Sequence, residues 1–203
     1  QISSFYIKAC PDLEWISPSY NKRQRDNKIR IGLISNHFYD HTIAKLYGGI
    51  IKNMSRDKLQ VILFRFLGGK EDSVSKDINN SADEVVFLPL ELATARQKID
   101  GYTLDILFYL DIGMEPLTYF LAFSRLAPVQ CVTWGHPVTT GIPNMDYFIS
   151  SESAEPLDAK EHYTERLFLP KRLVTHFYRP EQPKEVSSRG KFGLSEDYKL
   201  YVC

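Results

Sequence analysis

Cysteine is scarce in this 203-residue chain: Cys10, Cys131 and Cys203 lie far apart and form no CxxC pair. An odd, scattered set provides neither a disulfide framework nor a cysteine metal site, and it fits a reducing cytosol. Net charge is also missing, because 25 basic and 25 acidic side chains cancel. Without a basic surplus there is no electrostatic footprint for nucleic acid or an anionic membrane, and only Lys22 to Arg30 is locally basic. No apolar run approaches the roughly 18 residues that cross a bilayer. Neither a GxGxxG turn nor a Walker-type phosphate loop marks the glycine-bearing loops, which sets both of those nucleotide-cradling mechanisms aside. No internal repeat with a period of 20 to 50 residues is present.

What remains is an ordinary globular composition, 43% hydrophobic and 25% charged, enough for one sizeable core. Residues 1 to 27 contain Pro11 and Pro18 and end in a polar run, which reads as an N-terminal arm or linker. From Lys28 onward, short apolar runs recur, at 28–35, 59–64, 84–88, 105–110, 129–134, 146–150 and 166–169. Most are continuously apolar, as in strands buried on both faces. Between them, 42–54 carries Ile43, Leu46, Tyr47, Ile50 and Ile51 at helical spacing, with Thr42 as the expected N-cap. The stretch 73–80 reads as helix or loop. A helix over 91–100 is expected to stop at Gly101, and one over 116–123 to begin at Pro116. Strands alternating with helices predict an α/β domain with a doubly wound, mainly parallel sheet over residues 28–180. Residues 181–203 are expected to be a linker followed by the first strand of a second domain.

In such sheets ligands bind beyond the carboxyl ends of the strands, so three loops are candidates. The first, Ser35-Asn-His-Phe-Tyr-Asp-His-Thr42, places His37 and His41 just before a helix N-terminus. Histidine suits general-base work near neutral pH, and the alternative is that these rings hydrogen-bond loop backbone. The spacing lies in a loop and not on one helix face, so no metal pair is expected. In the second loop, Asp111 either recognises a hydroxyl or caps the next helix. In the third, Trp134-Gly-His-Pro-Val-Thr-Thr-Gly141, Gly135 and Gly141 let backbone N–H groups face a ligand while Thr139 and Thr140 offer hydroxyls. A tight loop with its hydroxyls satisfied locally is the other reading. The charged stretch from Asp158 to Lys171 reads as a solvated face.

These residues resemble a known family. Residues 28–46, with Gly-Leu-Ile-Ser-Asn-His-Phe-Tyr-Asp-His, look like its strand–loop–helix motif RVGYVSxDFxxH. Asp105 to Asp111 resembles HILVNMNGYT or DILVDLxGHT. Ala127 to Gly141, followed by Met145-Asp-Tyr-Phe-Ile149, is similar to APIQxxWLGYPGTSG…MDYII. Tyr163 to Pro170 is similar to YSExLxxLP. Four motifs in order over residues 28 to 175 are far more specific than any one of them. The family is the O-GlcNAc transferase and SPINDLY group, glycosyltransferase family 41. This chain departs from its motifs at Asp105, at His136 and in the Asn-His-Phe of the first motif.

The resemblance implies the first, Rossmann-like, acceptor-side domain of a GT-B glycosyltransferase, inactive without its second domain and often preceded by TPR helices. It implies inverting transfer of a sugar, usually GlcNAc from UDP-GlcNAc, onto a protein side chain. No cofactor and no metal are implied. His41 carries over as the catalytic residue. Gly135, His136, Pro137, Thr139 and Thr140 carry over as substrate- or donor-binding residues, and His37 and Asp111 join them as binding candidates from the loops themselves. The implied partners are a sugar nucleotide, an acceptor polypeptide, a C-terminal GT-B domain and an upstream TPR region. A cytoplasmic location is expected, with no nucleic acid or membrane partner. A non-catalytic binding or regulatory domain of the same fold is the alternative.

Overall fold

The computed structural model describes residues 2–22, 27–180, 185 and 187–201. Seven strands form one sheet: β1 (Ile29–Ile34), β2 (Leu59–Phe66), β3 (Glu84–Leu88), β4 (Ile106–Tyr109), β5 (Val129–Val132), β6 (Tyr147–Ile149) and β7 (Arg166–Phe168). Their order is β3-β2-β1-β4-β5-β6-β7, and every pairing is parallel. Parallel neighbours need a crossover. Four helices make the first crossovers: α2 (Thr42–Asn53), α3 (Ser73–Asn80), α4 (Leu92–Asp100) and α5 (Pro116–Leu121). The chain winds outward from β1 to β3, returns past β1 to β4, and winds the other way. That reversal puts a topological switch point between the carboxyl ends of β1 and β4.

Both faces of the sheet are covered, which is why its strands read as unbroken apolar runs. Alternation splits β1 between two cores. Ile31 and Leu33 join Phe38, Ile43, Tyr47 and Ile51 on the α2 and α3 side. Ile34 joins Ile99, Leu121 and Phe123 on the other. The buried stripe of α2, Ile43, Tyr47 and Ile51, falls at intervals of four residues, as one face of a helix must.

Two sequence expectations need correction. The N-cap of α2 is His41, not Thr42: residue 41 keeps extended backbone (φ −144, ψ 159) and its ring nitrogen accepts the Ile43 N–H. The helix α4 stops at Gly101 as expected, although Gly101 keeps φ at −60 and the left-handed residue is Thr103, with φ 44. Residues 1–27 do not form a loose arm where they are described. A helix, α1 (Ile2–Ala9), packs Tyr6 edge-on against Phe120 at 5.3 Å and Tyr119 at 6.1 Å. Beyond it, Ile16 bridges to Arg125, and Ser19 donates its backbone N–H to Asp100 Oδ1 at 3.0 Å. Residues 23–26 of that stretch lie outside the described residues.

After β7 the chain returns over α2. His176 N donates to Leu46 O at 2.9 Å, and Asn53 Nδ2 donates to the Tyr178 hydroxyl at 3.0 Å. A Cβ at Gly49 would lie 2.4 Å from His176 Cδ2, so the helix offers a notch there that the ring fills. Of the strand expected at 198–203, residues 198–201 are exposed and form no strand, and 202 and 203 lie outside the described residues, as do 181–184 and 186 of the expected linker.

The two described thiols differ sharply. Cys10 is exposed, whereas burial, helped by the nearby Asp146 carboxylate, pushes the Cys131 thiol up to about 12. The thiolate is the reactive form. In the native protein an alkylating reagent is therefore expected to label Cys10 readily and Cys131 only after unfolding, read by mass spectrometry of the digested chain. Labelling of both at similar rates would contradict the packing described for β5.

Candidate active site

The loops leaving β1 and β4 meet at the switch point, and one carboxylate ties them together. Asp111, fully buried at the end of β4, accepts the Asn36 N–H at 2.8 Å and the Ser35 hydroxyl at 3.0 Å on Oδ2. Ser35 Oγ in turn accepts the His37 N–H at 2.9 Å. Asp111 Oδ1 is buried without a partner among the described residues. Burial raises this carboxyl to about 6, against the lowering effect of the Asn36 and Ser35 hydrogen bonds and of the nearby Thr118 hydroxyl, with Glu115 adding to the rise. A buried acceptor left unsatisfied is costly unless a ligand or water meets it.

The clasp places both histidines of the first loop. Their rings stack with centroids 4.3 Å apart and planes 20° from parallel. His41 Nδ1 accepts the Ile43 N–H at 3.2 Å, so the neutral ring carries its proton on Nε2 and acts there as a donor. Burial first, then the neighbouring His37, hold the pKa of His41 below the ordinary imidazole value, and Asp111 opposes them. His37 is more deeply buried, with Nδ1 3.2 Å from the Tyr39 hydroxyl and Nε2 3.8 Å from Glu115 Oε1. Its pKa is lowered by burial, with Glu115 pulling the other way.

The third loop is pressed onto this arrangement from the β5 side. A Cβ at Gly135 would lie 2.2 Å from Leu110 O and 2.7 Å from Asp111 Cα, so only glycine permits the approach. His136, exposed, rests over Gly113 in the second loop. Pro137 lines a cavity of about 500 Å³ with Trp134, Ala154, Glu155 and Tyr163. A roomier apolar cavity of about 580 Å³ lies against α2, α3 and residues 177–180, with Thr42 of the first loop on its rim. The convergence of His37, His41, Asp111, Gly135 and His136 places the candidate site at the switch point.

Thr139 and Thr140 do not point their hydroxyls into it. Thr139 Oγ1 donates to Glu165 Oε2 at 2.8 Å, and Thr140 gives both its N–H and its hydroxyl to Glu165 Oε1. Glu165 is 6% exposed. The two hydroxyls are satisfied within the fold, which is the alternative that the sequence left open, and the stretch around Glu165 is not uniformly solvated. Residue-type reasoning also passed over Glu115. It occupies the N-cap of α5 but makes no side-chain cap bond, facing His37 instead. An acidic residue just before a proline-started helix is ordinarily read as a cap, so only the fold exposes its partner.

A Rossmann-like α/β domain with a candidate site at the β1/β4 switch point is the class these features define. Residues 12–178 match Glycosyl transferase family 41, and the chain belongs to that family. It is similar to a probable UDP-N-acetylglucosamine–peptide N-acetylglucosaminyltransferase, SEC, of Arabidopsis thaliana, with 24% identity over 183 residues. That alignment covers 87% of this chain and 19% of the relative. The probable SPINDLY enzyme of the same plant is 28% identical over 161 residues, covering 72% of this chain and 16% of its own. Among solved structures, an O-GlcNAc transferase mutant from Thermobaculum terrenum shares the fold, with a TM-score of 0.72 at 21% identity. The match covers 86% of this chain and 34% of that one. This chain therefore spans about a fifth or less of the curated relatives named and about a third of the solved one. Among the described residues no helix is long and apolar enough to cross a membrane.

Proposed function

We propose that this chain supplies the acceptor-facing half of an inverting glycosyltransferase that moves GlcNAc from UDP-GlcNAc onto a polypeptide side chain. The observation that carries the reading is the stacked His37–His41 pair, held at the switch point by Asp111 and roofed by the Gly135 loop, in a chain of this family. His41 caps α2 through Nδ1 and presents Nε2–H outward, a donor suited to holding the acceptor oxygen or the leaving phosphate. The first turn of α2 lies beside it, where unpaired N–H groups favour the same anionic charge. The Gly135–His136–Pro137 backbone is the surface offered to the donor. The nucleotide itself is assigned to a second GT-B domain, with TPR helices upstream as a further partner and no metal in the reaction. The cytosol is the proposed setting, in keeping with the scattered cysteines.

The test is donor turnover by the protein as its gene encodes it, with UDP-GlcNAc and GDP-fucose compared on candidate acceptor polypeptides. Transfer from UDP-GlcNAc is expected, falling by about 100-fold in His41→Asn, which keeps a capping acceptor but removes the imidazole. Transfer from GDP-fucose alone would replace the donor and keep the reaction class. No turnover with either donor, together with no binding of UDP or GDP, would make the chain a non-catalytic binding domain.

A further inference from the structure

Three side chains at the switch point are arranged in series: the Tyr39 hydroxyl 3.2 Å from His37 Nδ1, and His37 Nε2 3.8 Å from Glu115 Oε1. His37 is 8% exposed, and its Nε2 is buried with no hydrogen-bond partner among the described residues. A carboxylate facing one imidazole nitrogen favours the proton there and leaves the other nitrogen to accept. Glu115 thus selects the Nε2–H tautomer, and His37 Nδ1 becomes the acceptor for the Tyr39 O–H. His41 is not available for this task, because its accepting nitrogen already takes the Ile43 N–H.

We propose that Tyr39, His37 and Glu115 form the proton relay of this site, with the Tyr39 hydroxyl as the group that meets the acceptor. The proposal rests on the glycosyl-transfer reading. As the acceptor oxygen bonds to the anomeric carbon, the bond from that carbon to the nucleoside diphosphate breaks, and the electron pair leaves with the phosphate. The acceptor O–H proton passes to Tyr39 Oη, whose own proton passes to His37 Nδ1. The resulting imidazolium faces the Glu115 carboxylate and later returns its proton to solvent through the same hydroxyl. Tyr39 is half-buried and lines a cavity of about 280 Å³ together with Asn36, Leu67, Gly68, Gly69, Lys70 and Leu90, enough room for a side chain. The Lys70 ammonium sits 5.4 Å from the Tyr39 ring centroid and keeps positive charge beside the phenol. The other group facing His37 is His41, stacked on it; Asp111 at the end of β4 and Lys45 of α2 act on His41. Tyr39 is the catalytic residue of this set, and Glu115 is a positioning residue.

Nitrogen-15 NMR of the imidazoles in the 203-residue chain decides the geometry without turnover. The expected result is an Nε2–H tautomer for His37, with Glu115→Gln lowering its pKa by about one unit as the opposing charge is lost. In the gene-encoded protein, Tyr39→Phe is expected to lower transfer by about 100-fold with little change in donor KM. Glu115→Gln is expected to move the acid limb of kcat/KM to lower pH by the same interval as the NMR titration. An Nδ1–H tautomer, a His37 pKa indifferent to Glu115→Gln, or Tyr39→Phe within about threefold of wild type would each overturn the relay. If the wild-type protein transfers no sugar, the glycosyl-transfer reading falls and the relay's role with it, while the tautomer still reports separately on the Tyr39–His37–Glu115 geometry.

Discussion

Gly135→Ala is expected to destabilise the protein by about 3 kcal/mol or more, although the substitution adds a single methyl group. The cost does not come from the backbone angle, since Gly135 is not among the residues with positive φ. It comes from where the methyl must go, 2.2 Å from a backbone carbonyl oxygen and 2.7 Å from the Asp111 Cα. A flexible side chain could swing aside, but these atoms belong to the end of a central strand. Relief requires the third loop to lift from β4, which separates Gly135 and His136 from the histidine pair. Urea denaturation of the chain should show a lower midpoint with little change in slope. A variant within about 1 kcal/mol of wild type would mean that the loop rides freely over β4 and that the roof of the site is adjustable.

The second large effect concerns Asp111, whose carboxyl titrates near 3.8 when exposed and near 6 in the fold. The folded state binds this proton more tightly than the unfolded chain. Its contribution to stability is therefore fully present below about pH 4 and lost as pH rises through about 6. Each pH step is worth about 1.4 kcal/mol, so the interval amounts to about 3 kcal/mol. Asp72 and Glu91 have pKa values lowered by their hydrogen bonds and act in the opposite sense, so the total profile will not display the effect directly. The difference between wild type and Asp111→Asn isolates it. Relative to wild type, the variant should gain about 3 kcal/mol between pH 4 and pH 7.5. Parallel stability profiles would show that a ligand-free Asp111 is better solvated than its packing implies.

The sheet was open to reading from residue types because β1, β2 and β5 are buried on both faces, and an unbroken run such as Leu107 to Leu110 has few other uses. The reversal of strand order was not open to it, since nothing in β1 or β4 names its neighbours, yet that reversal decides which loops meet. His37, His41 and Asp111 announced themselves as polar groups at strand ends. Their connections did not: the Asp111 clasp spans 75 residues to Asn36, and Glu115 reaches a histidine in another loop. Thr139 and Thr140 misled for the same reason, as their partner Glu165 lies 25 residues or more along the chain. The N-terminal segment was passed over because its hold on the domain is aromatic and polar, through Tyr6 and Ser19, and follows no period.

The notch at Gly49 has a consequence for residues 176–180, which return over α2. A helix is stiff, and α2 carries His41 at one end and the seat of His176 along its side. That returning segment is thus registered against the same rod that aims an imidazole at the switch point, and its seat is set by the absence of one side chain. A bulkier residue at 49 would meet the His176 ring and backbone and lift residues 176–180 from the helix.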